Sequence, residues 1–182
     1  LEQLLQDWLN KNGKQRASGI ALNPQNGEIL ALVSLPGFDN NDFSGGIDRA
    51  TYQTYLADEN RPLFNRAIGG SYPSGSVIKP AMAAAALTEG IVTANTKILS
   101  TGGIQVGPWF FPDWSRVAHG QTDVRKSISW SVNTFYYYIG GGYKDFEGLG
   151  VTRINRYLDM FGFGKQLGLD IPGEGAGFLP SP

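Results

Sequence analysis

The sequence predicts an α+β domain in which an antiparallel sheet is flanked by helices. Two apolar segments flank Asn26-Gly27, a dipeptide that favours a hairpin turn between antiparallel strands. An alanine-rich segment at residues 76–89 is closed by Gly90, which is typical of a helix packed in a core. With 41% hydrophobic residues among 182, the chain can bury one domain-sized core.

The N-terminal elements are predicted to be a helix and a strand pair. The first segment places its apolar residues at helical spacing and stops at Asn12-Gly13; these residues are Leu1, Leu4, Leu5, Trp8 and Leu9. The second hairpin strand, residues 29–35, is apolar at nearly every position. We therefore expect both faces of that strand to be covered.

The middle of the chain is predicted to be loops that lead into the alanine-rich helix. The segments "FDNNDF" and "NRAIGG" are expected to be loops on either side of a short helix at residues 52–57. Because proline is tolerated only in the first turn, Pro80 predicts that the next helix begins near Ser76. The Ser76 hydroxyl would then lie at the positive end of the helix dipole.

The second half is predicted to be helical and poor in strands. "GPWFFPDW" is expected to be a loop that either lines a substrate groove or packs as a satellite core. A helix is predicted at residues 123–130 with Thr122 as its N-cap, and Asn133 is expected to cap the following segment. A further amphipathic helix is predicted at residues 151–161.

Charge and composition exclude several classes of function. Fifteen basic and sixteen acidic residues leave a net charge of −1 without a basic cluster, so nucleic acid is not an expected partner. The absence of cysteine excludes a thiol nucleophile, a disulfide framework and a thiolate metal site. We find no segment with the roughly 18 consecutive apolar residues of a membrane span.

Two short motifs carry potential chemistry. Ser76 and Lys79 are three residues apart, so on a helix they would lie on one face, where an amine could take the proton of a serine nucleophile. The alternative is a helix cap followed by a solvated lysine. Ser131-Val132-Asn133 lies further along the chain, and by itself it is equally consistent with a turn between helices. Neither motif decides the function alone.

The order of the longer segments resembles a known family. "ALNPQNGEILALVSLPGFDNNDF" is similar to the first hairpin and following loop of class B penicillin-binding protein transpeptidase domains, of the penicillin-binding protein 2 branch. Three later segments resemble the nucleophile helix, the second motif and a later landmark of that family: "FNRAIGGSYPSGSVIKP", "SWSVNTFYY" and "GFLPSP". The resemblance covers almost the whole chain, and it implies the penicillin-binding and serine β-lactamase-like fold.

The resemblance implies a role for each motif residue. Ser76 would be the nucleophile and Lys79 its base, since the single histidine, His119, matches no catalytic position of the family. Lys79 would then need burial or neighbouring positive charge to lower its pKa. Ser131 would relay a proton between Lys79 and the leaving amine, and Asn133 would hold the substrate backbone. The Ser76 backbone N–H would contribute to an oxyanion hole.

The implied reaction is the cross-linking of peptidoglycan. Ser76 would attack the penultimate D-alanine of a stem peptide, release the terminal D-alanine and transfer the acyl group to an amine of a neighbouring strand. Penicillins and other β-lactam antibiotics would acylate the same serine. The resemblance also implies an extracytoplasmic location, a membrane anchor N-terminal to these residues, and a partnership with a membrane glycan polymerase of the shape, elongation, division and sporulation family.

The family's third motif does not occur in this sequence. It is Lys-Thr-Gly or Lys-Ser-Gly on a strand that lines the cleft, and Lys126-Ser127-Ile128 does not match it. In the family this motif follows the "LPSP" landmark by a long interval. We therefore expect residues 1–182 to be the N-terminal part of one transpeptidase domain whose C-terminal strands lie elsewhere, and we expect the fragment to be inactive alone.

The resemblance raises the question of a metal site. Some penicillin-binding protein 2 relatives hold zinc near this loop on carboxylates, a histidine and a cysteine, and Asp113 and His119 lie where two ligands would fall. Without cysteine, two residues do not form a four-ligand structural site. No cofactor is therefore expected, and the alternative for Asp113 and His119 is a hydrogen bond within the loop.

Two other functions remain open at this stage. A class D-like serine β-lactamase shares the Ser-x-x-Lys pattern but must hydrolyse its acyl-enzyme quickly. A non-catalytic β-lactam sensor or scaffold would keep the adduct and join no peptides. The long match over "LNPQNGEILALVS" favours the transpeptidase over the β-lactamase.

Overall fold

The computed structural model describes residues 1–115 and 117–181. The described residues form helices and short antiparallel strand pairs, which confirms the predicted α+β class. The chain divides into two compact units, and each is described by itself. The first unit comprises Leu1–Ser71 and Gly168–Gly175, and the second comprises Tyr72–Leu167 and the segment that begins at Ala176. Pro182, the end of the "GFLPSP" segment, lies outside the described residues.

The first unit contains one strand pair and three helices. Its elements are α1 (Glu2–Asn12), β1 (Ala17–Leu22), β2 (Ile29–Leu35), α2 (Arg49–Ala57) and α3 (Arg66–Gly69). Gly13 ends α1 in the left-handed conformation, as its position after Asn12 predicted. The Asp48 carboxylate accepts the Ala50 and Thr51 amides and so caps α2, the helix predicted at residues 52–57.

The predicted hairpin is present. Strands β1 and β2 pair antiparallel from Ala17 opposite Leu35, and Gly27 takes the positive φ that the connection requires. The prediction that both faces of β2 are covered is wrong at Leu30, whose residue is 64% exposed. An apolar run alone does not reveal which faces other parts of the same chain cover.

Two predicted loops of the first unit contain single helical turns. "NRAIGG" includes α3, because the Asn65 side chain accepts the Ala67 amide and starts a turn. "FDNNDF" includes a 3-10 turn at Asn40–Phe43, in which the Asp39 carboxylate accepts the Asn41 amide. Asn and Asp favour loops and helix caps alike, so the residue types did not separate these outcomes.

The described residues of the second unit form four α-helices and four short strands. Its helices are α4 (Lys79–Thr88), α5 (Val124–Ser129), α6 (Asn133–Gly141) and α7 (Gly150–Met160). Its strands are β3 (Ile98–Ser100), β4 (Gly103–Val106), β5 (Trp109–Pro112) and β6 (Gly120–Thr122), paired β3 with β6 and β4 with β5. The predicted poverty in strands is therefore wrong. "GPWFFPDW" contains β5 rather than only a loop, because strands of three or four residues are too short to give a periodic pattern.

The alanine-rich helix forms the centre of the second unit's core. Ala83, Ala85 and Ala86 are buried with Phe135 and Ile139 of α6. The α-helix begins at Lys79 rather than at Ser76, which lies in a preceding 3-10 turn, Gly75–Ile78. Pro80 then occupies the first α-helical turn, where its missing N–H has no cost. Small side chains allow α6 to approach α4 closely.

Two predicted helix caps are wrong by one residue. Thr122 lies in β6, and the Asp123 carboxylate caps α5 by accepting the Lys126 amide. Val132, not Asn133, is the N-cap of α6, so the Asn133 side chain is available for other contacts. In residues 1–115 and 117–181, none of the helices has the length and apolar character needed to cross a membrane.

Candidate active site

The predicted motif residues come together at the start of α4 and the turn between α5 and α6. Ser76 is exposed in the 3-10 turn, and Lys79 is buried at the first position of α4, with 7% of the residue exposed. Ser131 lies in the α5–α6 turn, and Asn133 is the first residue of α6. All four belong to the second unit.

The Lys79 ammonium donates three hydrogen bonds to the α5–α6 turn. Its Nζ lies 2.8 Å from the Ser131 carbonyl oxygen, 2.8 Å from Ser131 Oγ and 2.6 Å from Asn133 Oδ1. An ammonium group has three protons, so these acceptors satisfy it completely. The long Lys79 side chain is therefore held in one orientation.

Ser131 connects Lys79 to Ser76. The Ser131 and Ser76 Oγ atoms are 2.9 Å apart, within hydrogen-bond distance. Among the described residues, Lys79 Nζ has no direct hydrogen bond to Ser76. The geometry is thus a chain from Ser76 Oγ through Ser131 Oγ to Lys79 Nζ. Since hydroxyl protons rotate, protons can pass along it in either direction.

The orientation of Ser131 depends on an unusual backbone conformation. Its φ is 52°, in the left-handed region that few residues other than glycine adopt. The Ser131 amide donates to the Ile128 carbonyl, and the Val132 amide donates to the Ser127 carbonyl, which closes the end of α5. The turn therefore points the Ser131 carbonyl and hydroxyl toward the same ammonium group.

Burial controls the charge of Lys79. Desolvation lowers the pKa of Lys79 below its ordinary value, and the nearby Asp113 carboxylate offsets part of this effect. Lys79 Nζ also lies 5.2 Å from the centre of the Tyr136 ring, a cation–π distance. The pKa shift brings a neutral amine, the form that can accept a proton, closer to physiological pH.

Asp113 is buried in a hydrogen-bond cluster with buried Ser100 and Thr134 and part-buried His119. Its Oδ1 accepts the Thr134 amide at 2.7 Å, and its Oδ2 accepts Thr134 Oγ1 at 2.8 Å and Ser100 Oγ at 2.6 Å. His119 Nδ1 lies 3.3 Å from the same Oδ2. Burial by itself would raise the pKa of Asp113, but these hydrogen bonds outweigh burial and lower it.

The residue before Asp113 contacts the same helix through its backbone. The Pro112 carbonyl accepts a hydrogen bond from Asn133 Nδ2 at 3.3 Å and another from Tyr137 Oη at 3.0 Å. Both side chains project from the first turns of α6. The end of β5 therefore holds the Asn133 amide in the orientation that presents Oδ1 to Lys79.

The donors around Asp113 do not fit a zinc site. Asp113 and His119 are adjacent, as their positions suggested, but their neighbours are Ser100 and Thr134 rather than further metal ligands. Within residues 1–115 and 117–181, no group of three or more His, Cys, Asp or Glu side chains could hold a metal ion. The Asp113 oxygens are already engaged by protein donors, and structural zinc usually requires four ligands.

Sequence reasoning missed several contributors to this site. No role was assigned to Ser100, or to Thr134 and Tyr137 within the segment "SWSVNTFYY", and the Pro112 carbonyl has no side-chain signal. The structure places β5 beside Asn133 but leaves its aromatic side chains outside a packed satellite core, with exposed residue fractions of 70%, 58% and 42% for Trp109, Phe110 and Phe111. The roles assigned to Ser76, Lys79, Ser131 and Asn133 remain predictions.

Comparison with curated proteins shows relatives along most of the chain. Peptidoglycan D,D-transpeptidase MrdA of Salmonella typhimurium is 39% identical over 169 residues, which cover 92% of this chain and 26% of that protein. The protein of the same name from Haemophilus influenzae is 36% identical over 169 residues, covering 89% of this chain and 24% of that protein. The chain spans about a quarter of the length of these relatives.

Solved structures share the fold. Penicillin-binding protein 2 of Pseudomonas aeruginosa, in complex with WCK 5153, matches with a TM-score of 0.80 and 33% identity, covering 98% of this chain and 40% of that one. Penicillin-binding protein 2 of Helicobacter pylori, in complex with MreC, matches with a TM-score of 0.84 and 32% identity, covering 98% and 32%. The profile of the penicillin-binding protein transpeptidase domain matches residues 17–182, and the chain belongs to that family.

Proposed function

We propose that the protein is a peptidoglycan D,D-transpeptidase that works through an acyl-enzyme on Ser76. The observation that carries this proposal is the chain of hydrogen bonds from exposed Ser76 Oγ through Ser131 Oγ to buried Lys79 Nζ. It supplies a nucleophile and a basic group of lowered pKa. The relatives named peptidoglycan D,D-transpeptidase support the same reaction.

The first chemical step requires neutral Lys79. As Ser76 Oγ attacks the carbonyl carbon of the penultimate D-alanine, its proton passes to Ser131 Oγ while the Ser131 proton passes to Lys79 Nζ. The resulting ammonium is stabilised by the Ser131 carbonyl and Asn133 Oδ1, the acceptors already in place. Placing these acceptors before the reaction reduces the reorganisation that the charge on Lys79 would otherwise require.

The later steps return the proton and transfer the acyl group. Lys79 gives its proton back through Ser131 to the nitrogen of the departing D-alanine, and the peptide carbonyl remains esterified to Ser76. An amine of a second stem peptide then attacks the ester and forms the new peptide bond as the bond to Ser76 Oγ breaks. The proton that the amine loses returns to Ser76 Oγ through Lys79 and Ser131. In this scheme the Asn133 amide, held by the Pro112 carbonyl, positions the peptide backbone of the substrate.

The proposal extends to the domain and its surroundings. We infer that residues 1–182 are the N-terminal part of a transpeptidase domain, and that the Lys-Thr-Gly or Lys-Ser-Gly motif, which this sequence lacks, lies in a further segment. The name of the relatives supports a place in peptidoglycan synthesis. From the resemblance we also infer an extracytoplasmic location and an N-terminal membrane anchor. The complex of Helicobacter pylori penicillin-binding protein 2 with MreC supports shape-determining partners, among which we include a glycan polymerase.

The test is covalent labelling of the protein at its full natural length with a fluorescent penicillin. We expect one adduct per protein by intact mass, mapped to the peptide that contains Ser76 and absent from Ser76→Ala. Ser74→Ala is the matched control, because Ser74 is an exposed serine of the same segment that lacks the Lys79 connection. Labelling that persists in Ser76→Ala would refute the assignment.

The lifetime of the adduct separates the other functions. A class D-like β-lactamase would release the penicillin within the turnover time, whereas a transpeptidase would retain it. A sensor would also retain it, but it would not join two stem peptides when supplied with donor and acceptor. Formation of a cross-linked product by wild type and not by Ser76→Ala is the expected result.

A further inference from the structure

We propose that Asp113 is a positioning residue, which holds Asn133 and Lys79 in their reactive arrangement through hydrogen bonds to the start of α6 and does so without a metal ion. The inference rests on the proposed function, which it deepens. It gives Asp113 a role different from that of a zinc ligand, the role noted for some relatives in this loop.

Asp113 binds the first turn of α6 directly. Thr134 immediately follows Asn133, and its amide is one of the N–H groups that a helix N-terminus leaves without an intrahelical partner. Val132, the N-cap residue, makes no side-chain cap bond, so the Asp113 carboxylate takes the capping role from a distant position in the sequence. A carboxylate at a helix N-terminus is also favoured by the helix dipole.

The other contacts of Asp113 fix it to the strands. Its amide donates to the Gly102 carbonyl at 2.9 Å, and its Oδ2 accepts from Ser100 Oγ, at the end of β3. Ser100 is 1% exposed and Thr134 is 1% exposed, so water does not compete for these bonds. One buried carboxylate therefore joins the strand pair β3–β6 to the helix that carries Asn133.

The position of Asn133 is consequently determined at both its backbone and its side chain. Asp113 holds the amide that follows it, and Pro112 holds its Nδ2. Its Oδ1 is then directed at Lys79 Nζ, 2.6 Å away. A displacement of the first turn of α6 would move Asn133 Oδ1 relative to the other two acceptors of Lys79, because both of those belong to Ser131, which lies outside the helix.

Asp113 also acts on Lys79 through its charge. It is the carboxylate whose field favours the Lys79 ammonium and offsets desolvation. The helices packed on α4 carry other titratable groups, among them Tyr136 in α6, Lys126 in α5 and Arg156 in α7. Tyr136 stays neutral because burial raises its pKa, Lys126 donates to the His119 and Gln121 carbonyls, and Arg156 pairs with Glu89 at the far end of α4.

The protein donors replace the ligands that zinc would need. Ser100 and Thr134 give Asp113 Oδ2 two hydroxyl hydrogen bonds, and His119 Nδ1 faces the same oxygen. A metal at this oxygen would displace these donors and would find no third carboxylate, histidine or cysteine among the described residues. Hydrogen bonds to a buried ionised group are stronger than neutral ones and can hold the loop on α6.

The experiment compares three variants of the protein at its full natural length. Asp113→Asn keeps the shape and removes the charge, while Thr134→Val and Ser100→Ala each remove one hydroxyl bond and keep the charge. Asp159→Asn is the matched control, because Asp159 is an exposed carboxylate of α7 paired with Lys165. Penicillin acylation rates are measured against pH, and zinc content is measured by elemental analysis with and without a chelator.

We expect Asp113→Asn to lower the plateau rate about tenfold or more, since small displacements of catalytic groups have effects of this size. The acid limb of its pH–rate profile, where the rate rises as Lys79 loses its proton, should move to lower pH. The reason is that removing the negative charge of Asp113 lowers the pKa of Lys79. Thr134→Val and Ser100→Ala should lower the plateau severalfold without moving the limb. A plateau loss in Asp113→Asn with an unmoved limb would overturn the electrostatic part, since a purely structural role would give that result.

Hydrogen exchange gives a readout that does not depend on activity. The Thr134 amide should exchange faster in Asp113→Asn than in wild type or Asp159→Asn, so the inference can be tested even if the protein is not acylated. If Asp113→Asn does not fold, wild-type plateau rates in both Thr134→Val and Ser100→Ala would overturn the proposal. One zinc per protein, with acylation lost on chelation, would overturn its metal-free part.

If Ser76→Ala abolishes labelling while Asp113→Asn retains the wild-type pH profile and Thr134 exchange, the proposed function stands and this inference fails. If wild type is never labelled but the Thr134 amide exchanges faster in Asp113→Asn, the proposed function fails while the contact between Asp113 and α6 stands.

Discussion

Two opposing effects act on the charge of the Lys79 side chain. Its ammonium is buried and satisfied by three acceptors, which favour the charged form, whereas desolvation favours the neutral amine and lowers its pKa. A base in this position must be able to lose its proton. A guanidinium cannot do so near neutral pH, although it would keep the charge and much of the bonding.

We therefore predict that Lys79→Arg abolishes measurable penicillin acylation, while Lys97→Arg, at an exposed lysine, leaves it unchanged. In wild type the rate should rise with pH as Lys79 loses its proton, and it should fall about tenfold per pH unit below the Lys79 pKa. Stopped-flow labelling across pH measures both effects. Wild-type rates in Lys79→Arg would show that Lys79 is a structural cation rather than a base.

At the scale of elements, the turn between α5 and α6 holds Ser131 in a strained backbone conformation at the candidate active site. Ser131 takes a left-handed φ of 52° and presents its hydroxyl to Ser76 and Lys79. Glycine adopts that conformation without the steric cost of a Cβ, which is about 1 kcal/mol. Serine at this position is therefore less favourable for the backbone than glycine would be, but it supplies the hydroxyl that contacts Ser76 and Lys79.

Comparison of Ser131→Gly with Ser131→Ala separates these two contributions. We predict that both variants slow acylation strongly, since neither has the connecting hydroxyl. The free energy of unfolding should be about 1 kcal/mol higher for Ser131→Gly than for Ser131→Ala, because only glycine relieves the strain. Denaturant unfolding and labelling rates measure the two effects. Equal stability of the two variants would mean that the turn relaxes when the hydroxyl is lost.

At the scale of the whole molecule, the proposed function makes residues 1–182 one part of the domain that carries out the reaction. The sequence contains two of the family's three motifs. One side of the β1–β2 hairpin presents exposed apolar residues, with exposed fractions of 47%, 56% and 64% for Ile20, Leu22 and Leu30. Exposed apolar strands favour association with other chains or with a further segment of the same protein.

We predict that residues 1–182 alone acylate at least 100-fold more slowly than the protein at its full natural length, since loss of one oxyanion-stabilising group typically has an effect of about this size. The isolated chain should also self-associate in light scattering. Ser76→Ala of the longer protein provides the baseline for non-specific labelling. A monomeric fragment that acylates as fast as the longer protein would show that no further segment contributes to the site.

The elements that local chemistry controls were predictable from the sequence. Asn26-Gly27 between two apolar runs predicted the β1–β2 hairpin, and the segment closed by Gly90 predicted α4. The helix at residues 151–161 is present as α7 within one residue at each end. These signals succeed because turn geometry and helical periodicity depend on residues close together in the chain. Ser76 and Lys79 could be selected for the same reason.

Only the tertiary structure decided which distant groups meet. The 2.9 Å contact of Ser131 with Ser76 joins residues 55 positions apart, and Asp113 reaches the amide of Thr134 from 21 positions away. Asp113 was predicted as a weak metal ligand or a loop hydrogen bond, and its capping of α6 has no local signal. The short strands β4 and β5 were missed because their pairing, rather than their own periodicity, stabilises them. Local preference is encoded in neighbouring residues, whereas a site depends on the packing that brings separate elements into contact.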